Sequence, residues 1–298
     1  MANPNNSTTS AEIPGRVFFA DGNNELPKVV INTVWSSAEL YLHGAHITHF
    51  QKKEEPPVLW MSQLSRFENK IPIRGGIPII FPWFGSREGQ PSHGFARIQD
   101  WELREISQHT SGAISLRLNL PDSVEAALLP KFTADLWVTV GQTLTAEMIV
   151  TNKSEDEEFT FDSCFHTYFN VGDINSVSIT GLKGANYLDQ CDKLTHKTDP
   201  CERIKISQET DRIYFDTTAS VEIHDSKLKR RIRIDKSGSQ STVVWNPWIA
   251  KAQRMPDFGN DEHLHMVCVE SGNVRENEVT LPAGKSTSLK IELSTLPL

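Results

Sequence analysis

Apolar residues in this chain recur at every second position. Leu116, Leu118 and Leu120 alternate with Arg117 and Asn119, and Leu136, Val138 and Val140 alternate with Trp137 and Thr139. Leu144, Ala146, Met148 and Val150 share one face, with Thr145, Glu147 and Thr151 on the other. The same period returns at Phe159, Phe161, Ser163 and Phe165, at Ile232 and Ile234, and at Leu289, Ile291 and Leu293. Successive side chains of a strand point to opposite faces, so this pattern predicts half-buried antiparallel strands. Helical periodicity is weak and short, as at residues 123–129.

The acidic run Glu155-Asp156-Glu157-Glu158 reads as a solvated hairpin end, and Gly172-Asp173, Gly181, Gly184 and Ser237-Gly238 mark other turns. No repeat, Pro-rich linker or shift in composition divides the chain. The expectation is a disordered tail over residues 1–15 and a single β-sandwich domain over 16–298, all-β and antiparallel, with two packed sheets. At 298 residues the chain is long for one domain, though large sandwiches reach this size.

Charge and cysteine usage narrow the function classes. A net charge of −8 gives no broad basic surface, which argues against a nucleic-acid partner. An anionic ligand would need a local cluster of Arg or Lys. No apolar run is long enough to span a bilayer, and the polar first ten residues carry no secretory core, so no membrane partner is expected. Cys164, Cys191, Cys201 and Cys268 are scattered without a CxxC pair, which suits free thiols in a cytoplasmic, reducing compartment. A monomer acting on a small molecule is the expected form.

Two groups stand out chemically. His166 lies among Phe165, Tyr168 and Phe169, and Glu270 ends the apolar run Met266-Val267-Cys268-Val269. Burying either without a partner costs several kcal/mol unless its charge state adjusts, roughly 2–7 kcal/mol even for a neutral polar group. Held in one pocket, they would form an acid/base pair. A core histidine bonded to backbone is the plainer reading of His166 alone.

Arg74 precedes Gly75-Gly76, where backbone can approach a ligand or adopt positive φ; it would either bind an anion or pair an acid in a strand-to-loop joint. His93-Gly94-Phe95-Ala96-Arg97 could aim His93 and Arg97 into one cleft, or form an ordinary surface turn. Trp245-Asn246-Pro247-Trp248 would stack a sugar ring or simply pack as a turn. His43, His46 and His49 do not share a strand face; His263 and His265 do, but without an evident third ligand. No metal-site, phosphate-loop, dinucleotide or serine-hydrolase signature occurs, so no metal is assigned.

Taken in order, Pro72-Ile73-Arg74-Gly75-Gly76-Ile77-Pro78, His93 to Arg97, Phe165-His166-Thr167-Tyr168-Phe169, Asp211-Arg212-Ile213-Tyr214, Val244 to Trp248 and Val269-Glu270 resemble the glucose-6-phosphate 1-epimerases. These are hexose-6-phosphate mutarotases of the aldose 1-epimerase superfamily, and the resemblance runs from about residue 26 to near the C-terminus. It implies an antiparallel β-supersandwich of the galactose-mutarotase type. It implies cofactor-free exchange of the α and β anomers of a hexose 6-phosphate, with His166 as general acid and Glu270 as general base. Arg74, His93, Arg97 and Asp211 would bind substrate. Ser92 stands where the family often has Gln, which shortens one substrate contact. The alternatives are an aldose 1-epimerase for unphosphorylated sugar and a non-catalytic sugar-phosphate binding protein.

Overall fold

The computed structural model describes residues 12–298. Residues 1–11 of the expected tail lie outside the described residues. Ile13 already joins the fold, exchanging backbone hydrogen bonds of 3.1 and 2.9 Å with Val17.

The alternating segments form strands where the period places them. One eight-stranded antiparallel sheet runs Val177–Thr180, Val221–Asp225, Arg230–Ser237, Ser286–Pro297, Leu144–Asn152, Phe132–Val140, Ile114–Asn119, Glu102–Gln108. Along Phe132–Val140 and Leu144–Asn152, buried and half-buried positions alternate, with the apolar set inward. The acidic residues 155–158 are exposed between strands, as expected of a solvated tip. The weak helical stretch contracts to a 3₁₀ turn at Ala126–Leu128.

The second eight-stranded sheet carries the site. Its order is Thr195–Thr198, Asn186–Asp189, Thr210–Tyr214, Ser241–Asn246, Met266–Asn273, Ser163–Phe165, Ile79–Ile80, with Tyr168–Asn170 also pairing Met266–Asn273. A four-stranded sheet (Val17–Asp21, Pro27–Asn32, Ser36–Tyr41, His46–Lys52) and the pair Phe159–Phe161 with Val279–Leu281 complete the strands among the described residues. Leu116, Leu136, Val138, Ala146, Ile232 and Ile291 of the first sheet join Phe165, Phe169, Val244, Val267 and Val269 of the second in one buried cluster. Each such side chain contributes about 1.5–3 kcal/mol by leaving water.

The opposite face of the second sheet is covered as well. Cys268 and Met266 point there, packed with Trp60, Tyr168, Trp245 and Phe258. Every residue of Met266–Asn273 is therefore buried, which explains its unbroken apolar run. Two sequence expectations need correction here. Glu270 does not end this strand but lies inside it, because Ser271, Gly272 and Asn273 continue the pairing. His263 and His265 do not share a strand face, because they lie in the 3₁₀ turn Glu262–His265. Among the described residues, no helix is long and apolar enough to cross a membrane.

Candidate active site

Strand register assembles the site. Asp211 pairs with Trp245, Trp245 with Cys268, and Cys268 with Tyr168, so these four form one row across the covered face. Two residues along, Ile213, Val243 and Glu270 form the next row. Directly opposed antiparallel residues share a face. Glu270 thus enters the same space as Tyr168, Trp245 and Asp211, although they are distant in sequence.

His166 arrives from a break in the sheet. Ser163–Phe165 and Tyr168–Asn170 are separate strands, and the His166 N–H donates to the Pro78 carbonyl at 3.0 Å. This places the imidazole parallel to the Tyr168 ring, with centroids 4.7 Å apart at 5°, and edge-on to Trp245 at 6.0 Å. His166 Nδ1 lies 3.3 Å from Glu270 Oε1. The approach is close but off hydrogen-bond alignment, so Nδ1 is buried without a partner. The Cys164 thiol stands 3.7 Å from Glu270 Oε2.

His93 closes the other side. Its backbone N–H donates to the Gly85 carbonyl at 2.7 Å, and the Gly85 N–H donates to His93 Nδ1 at 3.2 Å. Nδ1 is therefore the acceptor, and the ring proton resides on Nε2. The ring meets that of His166 at 6.0 Å. Gly94 makes this turn possible: its φ is +74°, and a Cβ there would stand 1.9 Å from the Phe81 carbonyl oxygen.

Arg74 is presented by the double-glycine segment. The positive φ values of Gly75 and Gly76 do occur, but the close approach is to protein backbone: a Cβ on Gly76 would meet the Ile47 carbonyl at 2.3 Å. The Arg74 guanidinium donates to Tyr168 Oη at 2.8 Å and, through Nε, to Asp257 Oδ2 at 3.1 Å. Arg74 pairs an acid, as one of its two readings expected, and it also lines the cleft.

The cleft has a volume of ≈ 340 Å³. Of the expected site residues, the structure brings together Arg74, His93, His166, Asp211 and Glu270 in its wall. Arg97 and Ser92 are not in that wall. Arg97 is buried behind it, its guanidinium donating to the Ser92 carbonyl at 2.7 Å, and Ser92 is exposed. Arg97 sits in the short 3₁₀ turn Ala96–Ile98 and is buried there. Trp245 joins the wall while Trp248 packs edge-on to His263 at 5.6 Å, so only one indole of that motif faces the cleft.

Sequence reasoning missed Gln190, Lys251 and Asp257. Gln190 Nε2 donates to Asp211 Oδ1 at 2.6 Å, and Lys251 Nζ stands 3.6 Å from Asp211 Oδ2 and 3.4 Å from Glu209. None sits in a recognisable pattern; Gln190 follows the strand Asn186–Asp189, Lys251 lies in the short helix Trp248–Ala252 and Asp257 in a turn beyond it. A larger hollow of ≈ 570 Å³ lies elsewhere, but its wall, including Arg16, Asn32 and Lys52, holds no histidine or carboxylate.

Burial governs the electrostatics. It pushes the Glu270 carboxyl well above its ordinary range, and the nearby Asp211 adds to the push. It pushes His166 well below the ordinary histidine value, with His93, Arg97 and Arg74 acting in the same direction. His93 falls to about 3 through burial, then through Arg97 and Arg74. Arg97 is lowered to about 10 by burial and by Arg74. Burial weighs against the Arg74 charge, but Tyr168 and Asp257 outweigh it and hold its pKa above the ordinary value. Both directions favour a neutral imidazole beside a protonated carboxyl, which carries the same number of protons as an imidazolium beside a carboxylate.

The sequence pattern of the aldose 1-epimerase family matches residues 28–294. A protein from Cenchrus ciliaris named "Putative glucose-6-phosphate 1-epimerase" is 32% identical over 284 residues, covering 91% of this chain and 85% of that one. A protein of the same name from Escherichia coli (strain K12) is 31% identical over 90% of this chain and 91% of that one. The crystal structure of a "putative mutarotase" from Salmonella typhimurium superposes with a TM-score of 0.88 at 28% identity, covering 96% of each chain.

Proposed function

The chain belongs to the aldose 1-epimerase family, and from that premise we propose that it interconverts the α and β anomers of a hexose 6-phosphate, glucose 6-phosphate in the first place. The observation that carries this reading is the 3.3 Å contact between His166 and Glu270 in a cleft shared with His93 and Arg74. Mutarotation opens a hemiacetal and closes it on the other face. Opening removes a proton from the C1 hydroxyl and delivers one to the ring oxygen.

The pair holds the one mobile proton this exchange needs. As the C1 hydroxyl donates to Glu270, its carboxylate form is stabilised and the proton passes to His166. Glu270 then acts as general base and His166 as general acid, and the roles reverse on closure. Each positioned group supplies roughly 10²–10⁴-fold, enough for a reaction already measurable in water. His93, neutral and carrying its proton on Nε2, serves as a fixed donor to a sugar oxygen. Asp211 and Gln190 bind hydroxyls, and the Trp245 face suits the apolar side of a pyranose.

Arg74 is the substrate-binding cation in the wall, and Arg97 adds positive field from behind it. The relatives' name, glucose-6-phosphate 1-epimerase, supports a phosphorylated sugar. One observation favours the free sugar as a second reading: the cations in the wall are already engaged, Arg74 by Asp257 and Lys251 by Asp211 and Glu209. Two-dimensional NMR exchange between anomeric signals separates the two. A kcat/KM for glucose 6-phosphate at least about tenfold above that for glucose supports the phosphorylated substrate; equal values support the free sugar. Saturable binding without exchange would point to a binding protein.

A further inference from the structure

The space beneath the acid/base pair contains a third donor that mutarotation does not use. Cys268 precedes Glu270 by two residues on the same strand and so shares its face. Single donor atoms of His166, Cys268 and Glu270 all lie within 4.8 Å of one another, and all three residues are buried. The Nδ1 atom of His166 is buried with no hydrogen-bond partner. A nitrogen, a sulfur and a carboxylate oxygen, one of them unpartnered, form a ligand set without an ion.

We propose that His166, Cys268 and Glu270 bind a thiophilic divalent cation of the zinc type, and that this cation shuts down the cleft. Three protein donors of N, S and O type suit tetrahedral Zn²⁺ with one position left open. Typical zinc bond lengths place tetrahedral donors roughly 3.3–3.8 Å apart, so small side-chain rotations close the set. On binding, the thiol and carboxyl protons leave to solvent, and the neutral imidazole offers its lone pair. The divalent charge then meets two anions, which leaves the buried site uncharged overall. The cation occupies the lone pairs that proton transfer requires, so it competes with the sugar. The coordination rests on the geometry alone; only the inhibitory consequence rests on the epimerase reading.

The test uses Cd²⁺ as probe on the full chain, with exposed Cys191 and Cys201 replaced by Ser to remove competing thiols. Ultraviolet thiolate-to-cadmium absorption should saturate at one ion per chain. Cys268→Ser should abolish the band and weaken binding at least tenfold, since losing even a group that only supports a ligand typically costs roughly 10–100-fold. Cys164→Ser should leave both intact. Anomer exchange should fall over the same Cd²⁺ range, be protected by hexose 6-phosphate and return with a chelator. A band that survives Cys268→Ser, or none at a tenfold excess of cation, overturns the site. Binding with unimpaired exchange overturns the inhibitory role. Should Cys268→Ser not fold, the ¹¹³Cd resonance of the Cys164→Ser variant, whose one remaining thiol is Cys268, decides: a thiolate-type shift supports the site, and an oxygen- and nitrogen-only shift overturns it.

Discussion

Burial sets the charge of both groups at the centre of the cleft, and it sets them in opposite directions. Glu270 is pushed toward its protonated form and His166 toward its neutral form. The working state is the one in which the pair holds a single mobile proton. Adding a second removes the base, and removing the first removes the acid. The pH profile of kcat/KM should therefore be bell-shaped, with limbs that belong to the pair jointly. Asp211 is the like charge that holds Glu270 up. Asp211→Asn should let Glu270 lose its proton more readily, moving the alkaline limb to lower pH as well as raising KM. An alkaline limb unmoved in that variant would remove Asp211 from the electrostatics of the pair.

At the scale of the element, the site depends on a few turns that hold side chains against the second sheet. The turn carrying His93 is the most constrained. Gly94 sits at φ +74° against the Phe81 carbonyl, and the Phe84 and Arg275 N–H groups both donate to Asp162, at 2.9 and 2.8 Å. Gly94→Ala adds positive-φ strain and a collision with backbone. We expect a loss of at least about 2 kcal/mol, read from the urea midpoint. If the variant folds, its loss of exchange should exceed that of a surface control, because His93 moves with the turn.

Elements of this kind mark where sequence reading stopped. The two-residue period located strands such as Leu144–Asn152 because each has one buried and one wetter face. It misjudged Met266–Asn273, where both faces are covered and the period vanishes, so Glu270 read as a terminus. His166 and Glu270 were legible as polar groups in apolar settings. Their contact was not, since it follows from the pairing of Cys268 with Tyr168 and from a sheet break that local composition does not encode. Arg97 gave a motif signal, but its burial in a 3₁₀ turn and its bond to the Ser92 carbonyl were not legible in that motif. Lys251, Gln190 and Asp257 had no local signal, because their roles are defined by partners brought in by tertiary contacts.

For the whole molecule, neutral histidines tie stability to pH. His46 and His93 both fall to about 3, His46 chiefly through burial. Between about pH 6.5 and about pH 3 the unfolded chain binds protons at these positions and the folded chain does not. Stability should fall as pH drops through that window, by roughly 1.4 kcal/mol per pH unit for each histidine. Glu270 contributes with the opposite sign. Above its ordinary value of 4.5, the folded protein keeps a proton that the unfolded chain has lost. Glu270→Gln removes this term, so its stability relative to the parent should improve as pH rises through the range above the ordinary value of 4.5. Chemical unfolding across that range checks the sign, and a relative stability that worsens with pH would contradict a buried, protonated Glu270.

The central claim is that one imidazole and one carboxyl group share the proton that opens and closes a sugar ring. NMR exchange between the anomers of glucose 6-phosphate tests it directly in His166→Asn and Glu270→Gln, with folding verified for each. The account predicts that either change slows exchange by at least about a hundredfold. Exchange near the parent rate in a folded variant of either residue would contradict it.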